Sequence, residues 1–168
     1  MNEEEVRSLL EQRLREVKFS VHREVSCRYT SGDTGRIDLH AVAPPSWETQ
    51  FGYRTIGIEV KGCVDFAEGS INSLIQAREY MAAFCYHKEG RPLPRPDIFL
   101  IATYGALSNP LHDGGSMPSD GETHAAWRFG WRLGISFLFN AGGRIGFKAP
   151  AAGGGMPFIT LFHSRAAS

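Results

Sequence analysis

A chain of 168 residues with 42% hydrophobic content is long enough for one domain with its own core, and its eighteen basic and eighteen acidic residues cancel. Net charge therefore neither demands nor excludes nucleic acid, and any polyanion site has to be a local patch. Three cysteines, Cys27, Cys63 and Cys85, at wide spacing exclude a disulfide framework and a zinc knuckle and read as reduced thiols in a soluble, cytoplasmic protein; the acidic start does not resemble a signal peptide and no apolar run reaches ~18 residues, so no membrane contact is expected.

From Asn2 to Val17 the residues Val6, Leu9, Leu10, Leu14 and Val17 recur at helical spacing, and Asn2 with Glu5 has the form of a capping box. Phe19 to Tyr29 reads as a strand, and TSGDTG (Thr30 to Gly35) as a hairpin turn. GRIDLH (Gly35 to His40) and IGIEVKG (Ile56 to Gly62) are two further strands, separated by APPSWETQFG, where Pro44 and Pro45 stop any central strand. A helix is expected from about Ser70 to His87 with Ile71, Leu74, Ile75, Ala82 and Cys85 as its apolar stripe. GRPLPRP ends it, and DIFLIATY (Asp97 to Tyr104) has the continuous apolar run of a strand buried on both faces.

Residues 105–122, rich in Gly, Pro, Ser, Asn and Asp, read as a long loop. HAAWRFGWRLG then suggests a short helix, and ISFLFN, RIGFKA and PFITLF three more strands, with the glycine-rich APAAGGGMP as a turn. The expected fold class is α/β: a helix, three strands, a helix and a strand over about residues 1–104 as a mixed sheet flanked by helices, followed by a β-rich extension over about 123–168. All 168 residues are expected to form a single domain.

The two central strands carry charges where apolar residues are usual. Alternation puts Ile56, Ile58 and Val60 on one face and Gly57, Glu59 and Lys61 on the other; likewise Ile37, Leu39 and Ala41 oppose Arg36, Asp38 and His40. A hairpin centred near Trp47 and Glu48 sets Asp38 opposite Glu59. Two adjacent carboxylates repel and resist desolvation. A hard divalent cation resolves that conflict, because Mg²⁺ binds through one or two carboxylates and fills its shell with water and substrate phosphate. Lys61, ~7 Å along the strand from Glu59, can then hold a water or a phosphate.

This order of elements, with Asp38 in RID and Glu59 and Lys61 in IEVK, resembles the PD-(D/E)XK nuclease superfamily and its restriction-endonuclease-like fold. The resemblance implies that Asp38, Glu59 and the main-chain carbonyl of Val60 bind Mg²⁺ or Mn²⁺, and that Lys61 assists the attacking water. Gln76 and Tyr80 in QAREY, four residues apart on one helix face that lies away from the expected apolar stripe, are similar to the Q-x-x-x-Y motif of RecB-type members. That likeness makes Gln76 part of the catalytic group and Gln76 and Tyr80 candidates for contact with nucleic acid; Arg36, on the charged face of the Asp38 strand, is a further candidate for that contact. RecB-type members that hold an iron–sulfur cluster use four cysteines, so no cluster is expected with three. Ile37 stands where the family pattern has proline.

Further candidates carry weaker signals. Glu3, Glu11 and Glu16 compete for the acidic ligand that several branches of the superfamily place on the first helix, Glu3 lying nearest the inward face. His40 shares the expected face of Asp38, and Arg128 and Arg132, interleaved with Trp127, Phe129 and Trp131, have the chemistry to meet phosphate and bases. The function expected is a metal-dependent nuclease acting first of all on DNA. The alternative is a silent module of the same fold that binds nucleic acid or a partner protein. A chain of this size can also work as a homodimer or with a partner.

Overall fold

The computed structural model describes residues 2–61, 70–103, 130–150 and 155–164. The first helix, α1 (Glu3–Glu16), starts where expected: the Asn2 side chain accepts from the Glu5 N–H at 2.9 Å, and the Glu5 carboxylate accepts from the Asn2 N–H at 2.8 Å. This reciprocal cap satisfies two N–H groups that the first turn would otherwise leave open. Val6, Leu10 and Leu14 line its buried stripe.

Strands β1 (Ser20–Arg28), β2 (Thr34–Val42) and β3 (Thr55–Lys61) follow, with a short helix, α2 (Pro45–Phe51), between the second and third. Helix α3 (Ser70–Ala82) leads to β4 (Phe84–Tyr86), β5 (Pro92–Leu93) and β6 (Ile98–Thr103). The remaining strands are β7 (Ile135–Phe137), β8 (Phe139–Ala141), β9 (Arg144–Lys148) and β10 (Phe158–His163). Seven strands form a mixed sheet in the order β5-β4-β1-β2-β3-β6-β7, parallel only across β3, β6 and β7. The last three strands make a second, antiparallel sheet, β10-β9-β8. The chain is thus α/β with a mixed central sheet and few helices. None of its described helices is long and apolar enough to cross a membrane.

The central sheet is covered on both sides. On one face α1 and the second sheet pack with Leu39, Ile58, Val60 and Leu100; on the other, Leu74, Ala77 and Tyr80 of α3 pack with Ile37, Phe99, Ile101 and Phe137. Strand β6 shows the cause of its unbroken apolar run, because Ile98 and Leu100 serve the first cluster while Phe99 and Ile101 serve the second.

Four sequence expectations change. APPSWETQFG holds a helix rather than a plain connection: Pro45 takes the first helical position, the Trp47 and Phe51 rings meet one turn apart, tilted at 55° with centroids at 5.0 Å, and Gly52 closes it at φ 78°. Helix α3 stops at Ala82, because Cys85 is claimed as a strand residue directly opposite Cys27. Its buried side is Ser73, Leu74, Ala77 and Tyr80, whereas Ile75 of the expected stripe is 56% exposed and Ala82 is exposed; the side chain of Ile71 lies outside the described residues.

The fourth change concerns alternation itself. Val21 and Leu39 belong to the α1 face, but Val25, Cys27 and Ile37 belong to the α3 face, although all five positions are odd-numbered. Both strands therefore exchange faces between 23 and 25 and between 37 and 39. At that crossing Glu24 adopts φ 51°, a left-handed conformation that reverses the pleat. Ile37 consequently does not share a face with Leu39 and Ala41, as simple alternation requires. The loop at 105–122, Cys63, Arg128, Trp127, Phe129 and the glycines of APAAGGGMP up to Gly154 lie outside the described residues.

Candidate functional site

The site lies where β2 separates from β3. Their ladder runs from Val42↔Thr55 to Leu39↔Ile58, and the same register carries Asp38 opposite Glu59. Beyond it the backbone partner of Val60 is replaced by a side chain, since the Val60 N–H donates to Asp38 Oδ2 at 2.8 Å. The carboxylate thus caps the open ladder and is held in place by it. Its other oxygen, Oδ1, accepts from Arg7 Nη2 at 2.9 Å, and both side chains are largely buried. Arg7 also reaches Glu4 at 2.9 Å.

Glu59 is 8% exposed. Its Oε1 accepts from Lys61 Nζ at 3.0 Å, while its buried Oε2 has no hydrogen-bond partner among the described residues. Burial pushes its pKa upward, the charge of Asp38 adds to the rise, Lys61 opposes it, and Glu3 contributes a smaller upward push.

From Lys61 a chain of contacts runs into the core. Lys61 Nζ donates to Gln76 Oε1 at 3.0 Å, and Gln76 Nε2 donates to the Tyr80 hydroxyl at 3.0 Å. Tyr80, 3% exposed, lies over Phe99 with centroids 5.5 Å apart and planes at 17°. Phe99 comes this close because its ladder partner is Gly57, where a Cβ would stand 2.6 Å from the Phe99 ring. The helix face bearing Gln76 and Tyr80 therefore does pack into the core, contrary to the sequence reading. The Tyr80 ring is buried, and its hydroxyl accepts from Gln76. Tyr29, 5.9 Å from Tyr80 between centroids, has its phenol pKa raised by burial and by the Tyr80 hydroxyl.

Asp38, Glu59, the Val60 main chain, Lys61 and Gln76 are thus gathered at one place, and other candidates are not. His40 is fully buried and its Nε2 donates to the Pro94 carbonyl at 2.7 Å, with burial lowering its pKa. The face exchange beside it explains why it parts from Asp38. Glu11 is engaged by Arg15 at 2.9 Å and Arg23 at 3.4 Å, and Glu16 by Arg13 at 2.9 Å; Glu3 is the helix-one acid whose charge is felt at Glu59. Arg36 is exposed and 3.6 Å from Glu24. Arg132 is exposed ahead of β7.

Two participants escaped the sequence reading. Arg7 lies one turn from Glu3 on the same helix, where the resemblance points to an acid rather than a base. Phe99 was hidden inside a uniformly apolar strand.

Among the described residues no three His, Cys, Asp or Glu side chains gather as a metal cage. The donor set nevertheless suits a hard cation that needs only two carboxylates, for Glu59 Oε2 is a buried oxygen with an open lone pair beside a second carboxylate. Compared with known proteins, the chain matches no family model, no curated protein and no solved structure.

Proposed function

We propose that this chain is a divalent-metal-dependent nuclease of the restriction-endonuclease-like type, hydrolysing phosphodiester bonds with DNA as its first substrate. The observation that carries this reading is the buried Oε2 of Glu59, without a hydrogen-bond partner among the described residues, beside Asp38 and on the strand that also presents Lys61. Mg²⁺ or Mn²⁺ bound by Asp38, Glu59 and the Val60 carbonyl would supply Lewis acidity and orient the attacking water. In the reaction the water oxygen adds to phosphorus and the bond to one sugar oxygen breaks, that oxygen leaving with a proton.

The chain's own residues have defined parts in this scheme. Lys61, free to exchange its 3.0 Å contact with Glu59 for a phosphate oxygen, offsets charge developing on the phosphate. Gln76 fixes the direction of the ammonium group through its side-chain oxygen, and Tyr80 fixes Gln76. Asp38 is oriented by the Val60 N–H at Oδ2, and its Oδ1, which accepts from Arg7, is the oxygen that a cation would share or take over.

A second reading is favoured by one observation: Asp38 already has a counter-ion in Arg7 at 2.9 Å. If Arg7 and Lys61 supply all the compensating charge, the fold is a silent module that binds nucleic acid or a partner protein and takes up no cation.

Incubation of the full chain with linear, circular and single-stranded DNA and Mn²⁺ tests the first reading. Wild type is expected to cut, with Asp38→Ala, Glu59→Gln and Lys61→Ala each slower by roughly 100-fold or more. No cleavage by wild type, or equal cleavage by folded variants, overturns it. Calorimetry with Mn²⁺ supports the silent module if no Glu59-dependent binding is found.

A further inference from the structure

A neutral chain leaves room for a polyanion only at a local patch, and one patch is built outside the carboxylate site. A groove of about 570 Å³ opens at the far end of β1 and β2 and is lined by Ser26, Arg28, Thr34, Arg36, His87 and Lys88. The cross-strand pairs Ser26↔Arg36 and Arg28↔Thr34 put these four side chains on one face, opposite to that of Cys27. Arg28 has no ion pair among the described residues, and the side chains of Arg36 and Lys88 are 62% and 67% exposed. Hydroxyls alternate with cations along the groove, a pattern suited to phosphate oxygens, which accept from both.

Two of these cations, Arg36 and Lys88, are held in place by one residue. Glu24 lies 3.6 Å from Arg36 and 3.7 Å from Lys88, bridging side chains from two different segments. It does so in the left-handed conformation, φ 51°, which is unfavourable for a non-glycine residue. The carboxylate keeps two mutually repelling cations together at the groove while no anion is bound.

The groove is also at the correct end of the sheet. β2 runs antiparallel to β3, so its start at Thr34 to Arg36 lies at the same end as Lys61, and the parallel strand β6 ends there too, at Thr103. Ligands of open α/β sheets bind beyond the carboxyl ends of the parallel strands. Arg36 is two residues, ~7 Å along the strand, from Asp38.

We propose that this groove is a phosphate-backbone track for nucleic acid, in which Arg28, Arg36 and Lys88 grip the strand flanking the scissile bond, with Glu24 as a built-in anion that the phosphate displaces. The proposal rests on the nuclease reading for its substrate, but binding at the groove does not require cleavage. The groove lies on the face of the sheet opposite to that of Lys61, which meets Gln76 of α3, so a strand gripped there reaches the site around the shared end of β2 and β3.

The test is fluorescence anisotropy of the full chain with labelled single-stranded and duplex oligonucleotides in EDTA, over a range of salt, so that no cutting occurs. The triple variant Arg28→Ala/Arg36→Ala/Lys88→Ala, shown to be folded by circular dichroism, is expected to bind at least about tenfold more weakly. Its log–log salt slope should fall by about two on single strands and nearly three on duplex, from the loss of three phosphate contacts. Glu24→Gln is expected to tighten binding several-fold. Wild-type affinity and slope in the folded triple variant, or no oligonucleotide binding by wild type, overturn the groove. The nuclease reading fails separately, if wild type binds in EDTA through these cations yet never cuts with Mn²⁺.

Discussion

Arg7 Nη2 of α1 and Asp38 Oδ1 of β2 lie 2.9 Å apart, which places a helix-borne cation on one of the two carboxylates of the candidate site. The contact joins the first helix to the edge of the split ladder and supplies the positive charge that Asp38 and Glu59 need in order to coexist. Under the proposed function, a cation bound at the site would take over part of that task.

Arg7→Met tests this exchange. Removing one member of a largely buried pair leaves Asp38 uncompensated, and the variant should lose about 1–3 kcal/mol, less than a fully buried pair would lose. Mn²⁺ should then restore more melting temperature in Arg7→Met than it adds to wild type. An equal rise in both proteins in thermal melts with and without Mn²⁺ would show that the ion does not assume Arg7's role.

Glu59 predicts a pH dependence. Its folded pKa is raised above the ordinary 4.5, so between that value and the raised one the folded state retains a proton that the unfolded chain has released. This group's contribution to stability is fully present below 4.5 and is lost as pH rises through the raised value. Glu59→Gln should flatten that decline in melting temperature, and Mn²⁺ should raise wild-type stability increasingly over the same rise in pH. Parallel melting curves for wild type and variant across the window would contradict the assignment.

Gly57 is where fold and site meet. Adding a methyl group places carbon 2.6 Å from a Phe99 ring atom, and Phe99 is fully buried beneath Tyr80. Gly57→Ala should destabilise the protein by about 1–3 kcal/mol, the usual cost of overpacking. The displaced ring should also disturb Tyr80, Gln76 and Lys61 in turn. Chemical denaturation with urea reads the first effect; a variant as stable as wild type would show that the Phe99 stack is loose.

Tyr80→Phe separates packing from positioning. The ring stack on Phe99 is kept, and the hydrogen bond from Gln76 is lost, for a stability change of about 1 kcal/mol. Cleavage with Mn²⁺ should slow through kcat with KM little changed, because Tyr80 acts through Gln76 and Lys61. A rise in KM with kcat unchanged would instead mark Tyr80 as a substrate contact.

Several features were legible in the sequence because they depend on local period and spacing. The Asn2 and Glu5 cap, the three strands after α1 and the buried run of β6 follow from patterns spanning only a few residues. Even the Asp38 to Glu59 register was accessible, since the loop between the two strands leaves their apolar positions one way to align. The helix in APPSWETQFG was legible as well, through Pro45, the Trp47 and Phe51 spacing and Gly52, but the paired prolines obscured it.

Tertiary structure alone decided the rest. Glu24 turns to φ 51° and carries β1 and β2 from one face of the sheet to the other, so the alternation that assigns Ile37 and His40 in sequence gives way where the strands cross. Tyr80 is drawn into the core by Phe99, and Arg7 is brought to Asp38, from positions 19 and 31 residues away respectively. Periodicity states which side of a strand or helix a residue occupies. It carries no information about which distant element will cover that side, because that choice is made by the packing of whole faces, where burial and charge compensation are settled together.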